Sequence, residues 1–434
     1  MPIAFVQLDW LLKTLLYWPA EILVLLTAMA LLAGVRVKPA VAWLVGVLAM
    51  TAIVVRTFDR YPEGFDLRIF WDAGAVVLRG EDPYLADGRI LNPPQALPLM
   101  ALLGIVSFAA CLLVWTILNV AACCGLGLLA QKALAAQGPD YDWELTPSAL
   151  AVLSGALAFC YACRRGLDAG QLSLLAIVPL FVALWAQGRA RPILAGAMLA
   201  VASIKAATWL PFMLLFLGKK DWKSWVAMAV VSIALALSTT LPDELVNRCR
   251  ECLDNIATLS QPGRVNDYVS SNSQSVDLIM LDRALYCAGV GDRAVIKGVS
   301  LAITGMLGLW LLVGIVRGHW SRAAACSLVA FFAALFLYHR QYDMVLLAVP
   351  LVYVTGRAQH ERSAARWLYG VSGVAILAVL YFRLAELEVL QLKLDSNPSP
   401  IVAAVVMPYC IWCVLVGLIC LALAERFSPR VKKA

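Results

Sequence analysis

The sequence predicts an all-α, polytopic transmembrane bundle of about 11–13 hydrophobic helices with a large loop early in the chain. Three observations lead there: a shortage of charge, long apolar blocks, and short basic joints between them. Hydrophobic residues make up 62% of the 434 and charged residues only 15%, with a mean hydropathy of +0.81. A soluble domain carries about a quarter charged residues, so this chain lacks the polar surface to face water on all sides. Residues 107–130, 294–316 and 401–424 each reach the ~20 residues that cross a ~30 Å hydrocarbon core. The Leu/Ala/Val blocks show no period-two alternation, so helices rather than a barrel satisfy the backbone in lipid. Residues 1–434 read as one integral membrane domain, without a repeat or an appended soluble domain.

The joints fall into two sets. Arg36 and Lys38; Arg189 and Arg191; Lys219, Lys220 and Lys223; Arg317 and Arg322; Arg357, Arg362 and Arg366; and the tail from Arg426 to Lys433 are short and basic. Basic joints face the cytoplasm. Residues 56–106, 164–170, 242–293, 339–343 and 386–400 then face outward, and 56–106 and 242–293 are the two long outward loops. The expected setting is a bacterial inner membrane, with the working face toward the periplasm or exterior. Residues 192–218 begin and end at basic joints and are interrupted by Lys205 and Pro211, which predicts a re-entrant hairpin or a broken helix. Residues 5–34 are split by Pro19 and Glu21, which leaves the side of the N-terminus open. A cleavable signal peptide is not expected, because Asp9, Lys13 and Glu21 interrupt the first apolar block. The net charge of +7 sits in separate joints and forms no continuous patch, so no nucleic-acid partner is expected.

Nine of the twelve cysteines lie in apolar spans as small buried residues. Cys249, Cys252 and Cys287 lie near or within the second outward loop, and whether one disulfide forms among them, should that loop meet an oxidising compartment, is left open by the sequence. The three histidines, His319, His339 and His360, are remote from these thiols, so no metal site is expected.

Polar chemistry is densest in the first loop, from Asp59 to Asp72 and on through Glu81-Asp82-Pro83-Tyr84 to Asn92-Pro93-Pro94. Phe70, Ala73 and Val77 recur at helical spacing, so a short amphipathic helix is predicted from about Asp66 to Leu78. Asp66 is either its N-cap or a carboxylate free for chemistry. Asp82-Pro83-Tyr84 and Asn92-Pro93-Pro94 are turns that bring the chain back to the membrane.

Phe65-Asp66-Leu67-Arg68-Ile69-Phe70, Leu78-Arg79-Gly80-Glu81-Asp82-Pro83-Tyr84 and Asn92-Pro93-Pro94 together resemble the first-loop signature of the GT-C membrane glycosyltransferases. The resemblance is nearest to the polyprenyl-phosphate-mannose-dependent α-mannosyltransferases, which include the phosphatidylinositol-mannoside mannosyltransferases. Gly170-Gln171-Leu172-Ser173-Leu174 resembles that family's Gly-Gln segment. Gly196 to Pro211, with Lys205 inside, resembles its Gly-rich helix ending in Lys-x-x-Pro, although the Pro comes later here. Asn272-Ser273-Gln274-Ser275 with Arg283 resembles its Asn-Gln-Ser…Arg segment with one residue inserted, and Tyr338-His339-Arg340-Gln341-Tyr342-Asp343 resembles its outward His turn. The likeness covers about residues 60 to 355.

The resemblance implies a bundle of GT-C type that moves a sugar, by analogy mannose, from a polyprenyl phosphate to a hydroxyl of a glycolipid or glycan. The co-substrate is the lipid-linked sugar, and no cofactor is implied. Membrane lipids surround the protein. The leaving phosphate is stable as an anion, so one carboxylate suffices as general base for an inverting displacement. The family's catalytic Asp maps onto Asp66. Asp72 is the second carboxylate, a candidate for sugar hydroxyls. Arg and Lys suit the phosphate, which points to Arg68, Arg164, Arg165, Lys205 and Arg340, with His339 as a neutral donor. The bland alternatives are an interfacial anchor for Arg164 and Arg165, a helix-end carbonyl for Lys205, and a solvated turn for His339, Arg340 and Asp343. Gln171 either binds a sugar hydroxyl or caps a helix. Tyr84, Gln274, Tyr342 and Asp343 complete the sugar and acceptor set, with Asn272, Ser275 and Arg283 nearby in the second loop. Tyr61, Trp71 and Tyr84 either stack on sugar or belong to an interfacial belt.

Three other classes compete. A transporter or flippase also uses broken helices with a buried Lys, but no repeated half is evident. A surface-polysaccharide polymerase or ligase also takes lipid-linked donors, but its main loop comes late in the chain. A scaffold leaves the ordered motifs unexplained.

Overall fold

The computed structural model describes residues 13–60, 62–138, 144–218, 221–269, 278–336, 339–382, 404–406 and 408–428. A π-helical turn, Lys13–Tyr17, leads into α1 (Trp18–Leu32). Pro19 falls in the first turn of α1, where its missing N–H has no helical partner to lose. Leu15–Leu32 is therefore long and apolar enough for one span, and Pro19 and Glu21 do not split it. The next helix, α2 (Pro39–Arg60), delivers the chain to the first loop.

That loop is folded. It holds α3 (Phe65–Leu78), α4 (Pro83–Ala86), a 3₁₀ turn at Pro94–Ala96 and α5 (Leu97–Gly104). Leu67 and Phe70 of α3 join Tyr84, Leu97, Met100 and Trp115 in an apolar core separate from that of the main bundle. The bundle continues with α6 (Phe108–Ala135), then α7 (Pro147–Phe159) and α8 (Tyr161–Ala169), which are bent by 49° where they meet. After α9 (Ser173–Gly188) comes the predicted interruption: α10 (Pro192–Ala202), α11 (Ala206–Trp209), a 3₁₀ turn at Leu210–Phe212, and α12 (Met213–Gly218). The break falls at Ser203–Lys205, ahead of Pro211, where Lys205 takes an extended backbone.

The second loop follows α13 (Trp222–Leu237) and contains α14 (Leu245–Leu259), strand β1 (Leu278–Ile279) and α15 (Leu281–Cys287). The long α16 (Arg293–Val316) and α17 (Arg322–Leu335) lead to strand β2 (His339–Arg340) and a 3₁₀ stretch at Gln341–Leu347. The strands pair antiparallel, Leu278 opposite Arg340 and Ile279 opposite His339. The chain closes with α18 (Ala348–His360), α19 (Ala365–Tyr381) and α20 (Tyr409–Phe427). Side chains placed just ahead of the helices set many of these starts. Ser107, Thr146, Asp221, Asp292 and Ser321 each accept a backbone N–H of the turn that follows.

Among the described residues five helices are long and apolar enough to span a bilayer, six if α7 and α8 count as one, and seven more apolar helices run 10–17 residues. Breaks at Cys160 and at Ser203–Lys205 account for part of the shortening. Every side chain of α17 from Ala323 to Leu335 is buried, as is most of α18, so these form the bundle centre. In contrast, α16 exposes Leu301, Met306, Leu309 and Val316, a surface suited to lipid tails.

The two sets of joints gather separately. Arg56 of α2 forks onto Asp168 at 3.0 and 3.2 Å, and the Gly64 N–H donates to the Asp168 carbonyl. The second loop lies on the first: Asn255 donates to the carbonyls of Tyr84 and Ile90, and Arg248 lies 3.6 Å from Asp82. At the other end Arg366 donates to the Ala33 carbonyl, and Arg357 reaches Glu361 and Ser428. All twelve cysteines are free thiols, and no disulfide joins Cys249, Cys252 or Cys287. Cys249 and Cys252 share α14, where Cys252 turns inward toward the Asn92 carbonyl and Cys249 stays exposed.

Candidate active site

The site is built where the first turn of α3 rests on the junction between α8 and α9. Gly64 and Gly170 both adopt left-handed φ, +62° and +72°. A Cβ on Gly170 would lie 2.7 Å from Leu67 Cβ and 3.2 Å from Gly64 Cα, so only glycine permits this contact. Trp115 Nε1 fixes the same junction by donating to the Gly170 carbonyl at 3.1 Å. The residue after Gly170 is Gln171, and its amide donates to Asp66 Oδ2.

Asp66 does not cap α3. Gly64 holds the N-cap position, and Asp66 lies in the first turn, half-buried. Arg165 of α8, Lys205 at the helix break and Arg340 of β2 all bring positive charge to bear on it. Among the described residues none of them forms a direct ion pair with its carboxylate. Burial pushes the Asp66 carboxyl above the ordinary value, and outweighs the Gln171 hydrogen bond and those three charges, which pull it down.

Behind this carboxylate lies a second group. Lys205 Nζ sits 2.5 Å from Asp343 Oδ1 and 2.7 Å from Ser173 Oγ, and Ser173 also donates to Asp343 at 2.6 Å. Tyr342 lies under the ammonium, 4.8 Å from ring centre to Nζ. Burial pushes the Asp343 carboxyl up, but Lys205 and His339 outweigh it and hold it well below the ordinary range. The break that carries Lys205 is pinned by the first loop. Asn92 Nδ2 donates to the Ile204 carbonyl at 2.8 Å, and Gln95 Nε2 to Ser203 Oγ at 3.0 Å.

Asp66, Arg165, Gln171, Lys205, Arg340, Tyr342 and Asp343 thus converge, from five separate stretches of chain. Other residues picked from the sequence do not join them. Arg68 and Asp72 stand about 200° and about 240° around α3 from Asp66 at 100° per residue. On that opposite face Arg68 covers Trp71 and Phe108 and lies 3.8 Å from Asp72. Arg164 forks onto Glu21 of α1 at 2.8 and 2.9 Å, which neutralises it away from Asp66. Tyr84 is 2% exposed and its hydroxyl donates to the Asn92 carbonyl, so it is a core residue of the loop and offers no stacking face. His339 is fully buried, with Nε2 donating to the Ala333 carbonyl and Nδ1 3.6 Å from Asp343, so its ring faces the protein interior. Asp343 itself is 3% exposed and pairs with Lys205. Arg283 is buried and Trp71 donates to the Val106 carbonyl. Tyr61, Asn272, Gln274, Ser275 and Tyr338 lie outside the described residues. Gln171 caps no helix, since Leu172 holds the N-cap of α9.

Three residues were not singled out from the sequence. Ser173 lies in the Gly-Gln segment but reveals its role only through Lys205 and Asp343. Arg89, whose guanidinium senses Asp66 and Asp72, lies between the two turn signals and belongs to neither. Gln95 follows the double proline that orients it toward Ser203. Among the described residues no three His, Cys, Asp or Glu side chains gather as metal ligands.

The profile of Glycosyltransferase family 87 matches residues 91–338, more than half of the chain. The chain belongs to that family. No curated protein and no solved structure matches it. Together with its apolar helices, the match makes it a membrane glycosyltransferase. Within this family 87 chain the matched span holds Arg165, Gln171 and Lys205, while Asp66 and the turn at 339–343 flank it on either side.

Proposed function

We propose that this glycosyltransferase moves a sugar from a polyprenyl-phosphate donor to a hydroxyl of a lipid or glycan at the outer membrane face, with inversion and with Asp66 as general base. Mannose is the sugar the motif resemblance favours. The observation that carries the reading is the state of Asp66: half-buried, hydrogen-bonded by the neutral Gln171 amide, raised above an ordinary carboxyl, and within the field of Arg165, Lys205 and Arg340. A carboxylate clamped by Arg would be too weak a base, while one in bulk water would lack a bounded site.

The acceptor O–H gives its proton to Asp66 as its oxygen bonds the anomeric carbon. The bond from that carbon to the phosphate oxygen breaks, and its electron pair leaves with the phosphate. The donor is a phosphodiester with one negative charge, and the product is a phosphate monoester that gains a second. Arg165, Lys205 and Arg340 suit that growing charge.

The test is reconstitution with a radiolabelled polyprenyl-phosphate mannose and a membrane lipid extract. Asp66→Asn is expected to insert normally and to lose on the order of 10²–10⁴ of the transfer rate. In the unaltered protein, transfer should rise with pH through a limb above the ordinary Asp range, as Asp66 ionises. Full activity in Asp66→Asn removes Asp66 from the role.

A further inference from the structure

Asp66 has two carboxylate oxygens in unlike surroundings. Oδ2 accepts from Gln171 Nε2, whereas Oδ1 has no hydrogen-bond partner among the described residues. Gln171 lies 105 positions along the chain, is 7% exposed, and belongs to the turn whose backbone receives α3. That turn is fixed by four contacts: Gly64 N–H on the Asp168 carbonyl, Trp115 on the Gly170 carbonyl, the Gln171 N–H on the Gly166 carbonyl, and the Gly64–Gly170 approach. The Gln171 backbone is therefore fixed, and burial of its side chain confines the amide beside Asp66 Oδ2.

We propose that Gln171 is the positioning residue for the Asp66 base: its amide donates to Oδ2, fixes the plane of the carboxylate, and leaves Oδ1 to take the acceptor's proton. The proposal rests on Asp66 acting as the base. A neutral donor does what a cation in that place would not. An ammonium or guanidinium on Oδ2 would orient the carboxylate but also strip its basicity, whereas an amide orients it at smaller cost. The charged groups facing Asp66 stand off. Arg165 comes from α8, Lys205 from the helix break with Asp343 behind it, Arg340 from β2, and Arg89 from the first loop. Asp168 keeps its carboxylate on Arg56, and Arg68 and Asp72 occupy the far face of α3.

The experiment is single-turnover transfer from radiolabelled polyprenyl-phosphate mannose across pH, for the unaltered protein, Gln171→Leu, Gln171→Glu and Asp66→Asn. Gln171→Leu removes a donor that favours ionised Asp66, so its acidic limb should move to higher pH. Its plateau rate should fall on the order of ten- to a hundredfold, the range one hydrogen bond to a charged group carries, with donor KM little changed. Gln171→Glu should retain transfer at low pH, where the introduced acid is protonated and still donates, and should add a descending limb as that acid ionises. A merely structural role would lower the amount of folded protein and leave the limbs in place. If Gln171→Leu raises donor KM with an unmoved limb, or Gln171→Glu shows no new limb, Gln171 does not position the base. Full activity of Asp66→Asn overturns the base assignment itself, and with it this role for Gln171. Should Gln171→Leu fail to fold, the new limb in Gln171→Glu still decides.

Discussion

Two polar clusters lie at opposite sets of joints, and they are finished to different degrees. At the basic joints, Tyr353 and Tyr369 both donate to Glu425 Oε1, at 2.5 and 2.7 Å. Arg357 donates to the Tyr369 hydroxyl at 3.2 Å and to Ser428, while Ser428 donates to Glu361 at 2.6 Å. The cluster ties α18, α19 and α20 together, and its charges meet partners within the cluster. Beside Asp66, Lys205 and Asp343 are paired, but the set is not closed throughout. Among the described residues one Asp66 oxygen has no hydrogen-bond partner and no carboxylate pairs with Arg165. A closed network specifies a fold, whereas an open one holds interaction energy in reserve for a substrate. The raised Asp66 carboxyl shows the cost: as pH rises past the ordinary Asp range toward the folded value, the folded state binds more protons than the unfolded one and stability falls. The reverse holds for Asp343, whose lowered carboxyl adds stability above the ordinary Asp range that is lost only as pH falls through its folded value.

The largest effect is expected at the hinge between the two kinds of environment, Lys205. Lys205→Met leaves Asp343 buried without its cation, a loss of about 3–5 kcal/mol typical of a broken buried pair. It also removes a charge from the proposed phosphate site. Adding Asp343→Asn should recover much of the thermal stability in detergent but none of the sugar transfer. Recovery of both would make the pair purely structural.

How much of this was legible follows from range. The apolar blocks, the helix of the first loop and the break at Lys205 each announce themselves within about twenty residues, because periodicity, capping side chains and a charge in an apolar run are local signals. What a side chain faces is not local. Arg164 and Arg165 are neighbours in sequence and about 100° apart on α8, so one meets Glu21 and the other Asp66. Nothing near either residue distinguishes them. Tyr84 and His339 looked available because they sit in loops, yet the first loop packs into a core of its own and the turn at His339 packs into the main bundle. Asp343 looked exposed for the same reason, and its partner lies 138 positions away. The Gly-Gln segment stands out in the sequence, but only the contact between Gly170 and Gly64 shows that Gln171 points at Asp66.

A middle-sized effect separates the clusters by function. Glu425→Gln weakens two hydrogen bonds to a charged acceptor and should lower stability by about 1–3 kcal/mol. Transfer by the protein that remains folded should keep its pH profile, since the cluster touches none of the groups around Asp66. A shifted acidic limb in Glu425→Gln would mean that the two ends are coupled through α18, contrary to the division drawn above.

The smallest effect is expected at Asp72, and it tests the geometry most directly. Asp72 is half-exposed and 3.8 Å from an equally exposed Arg68, a surface pair worth about 0–1 kcal/mol. Asp72→Asn should therefore leave thermal stability within a fraction of that range. Its position on the far side of α3 from Gln171 also predicts unchanged kcat and donor KM. The two carboxylates share one short helix and one loop, so the contrast between Asp66→Asn and Asp72→Asn isolates helix face as the variable. If Asp72→Asn cost transfer as heavily as Asp66→Asn, substrate would have to reach the solvent face of α3, and the enclosure formed by Gln171, Arg165 and Lys205 would not be where the sugar moves.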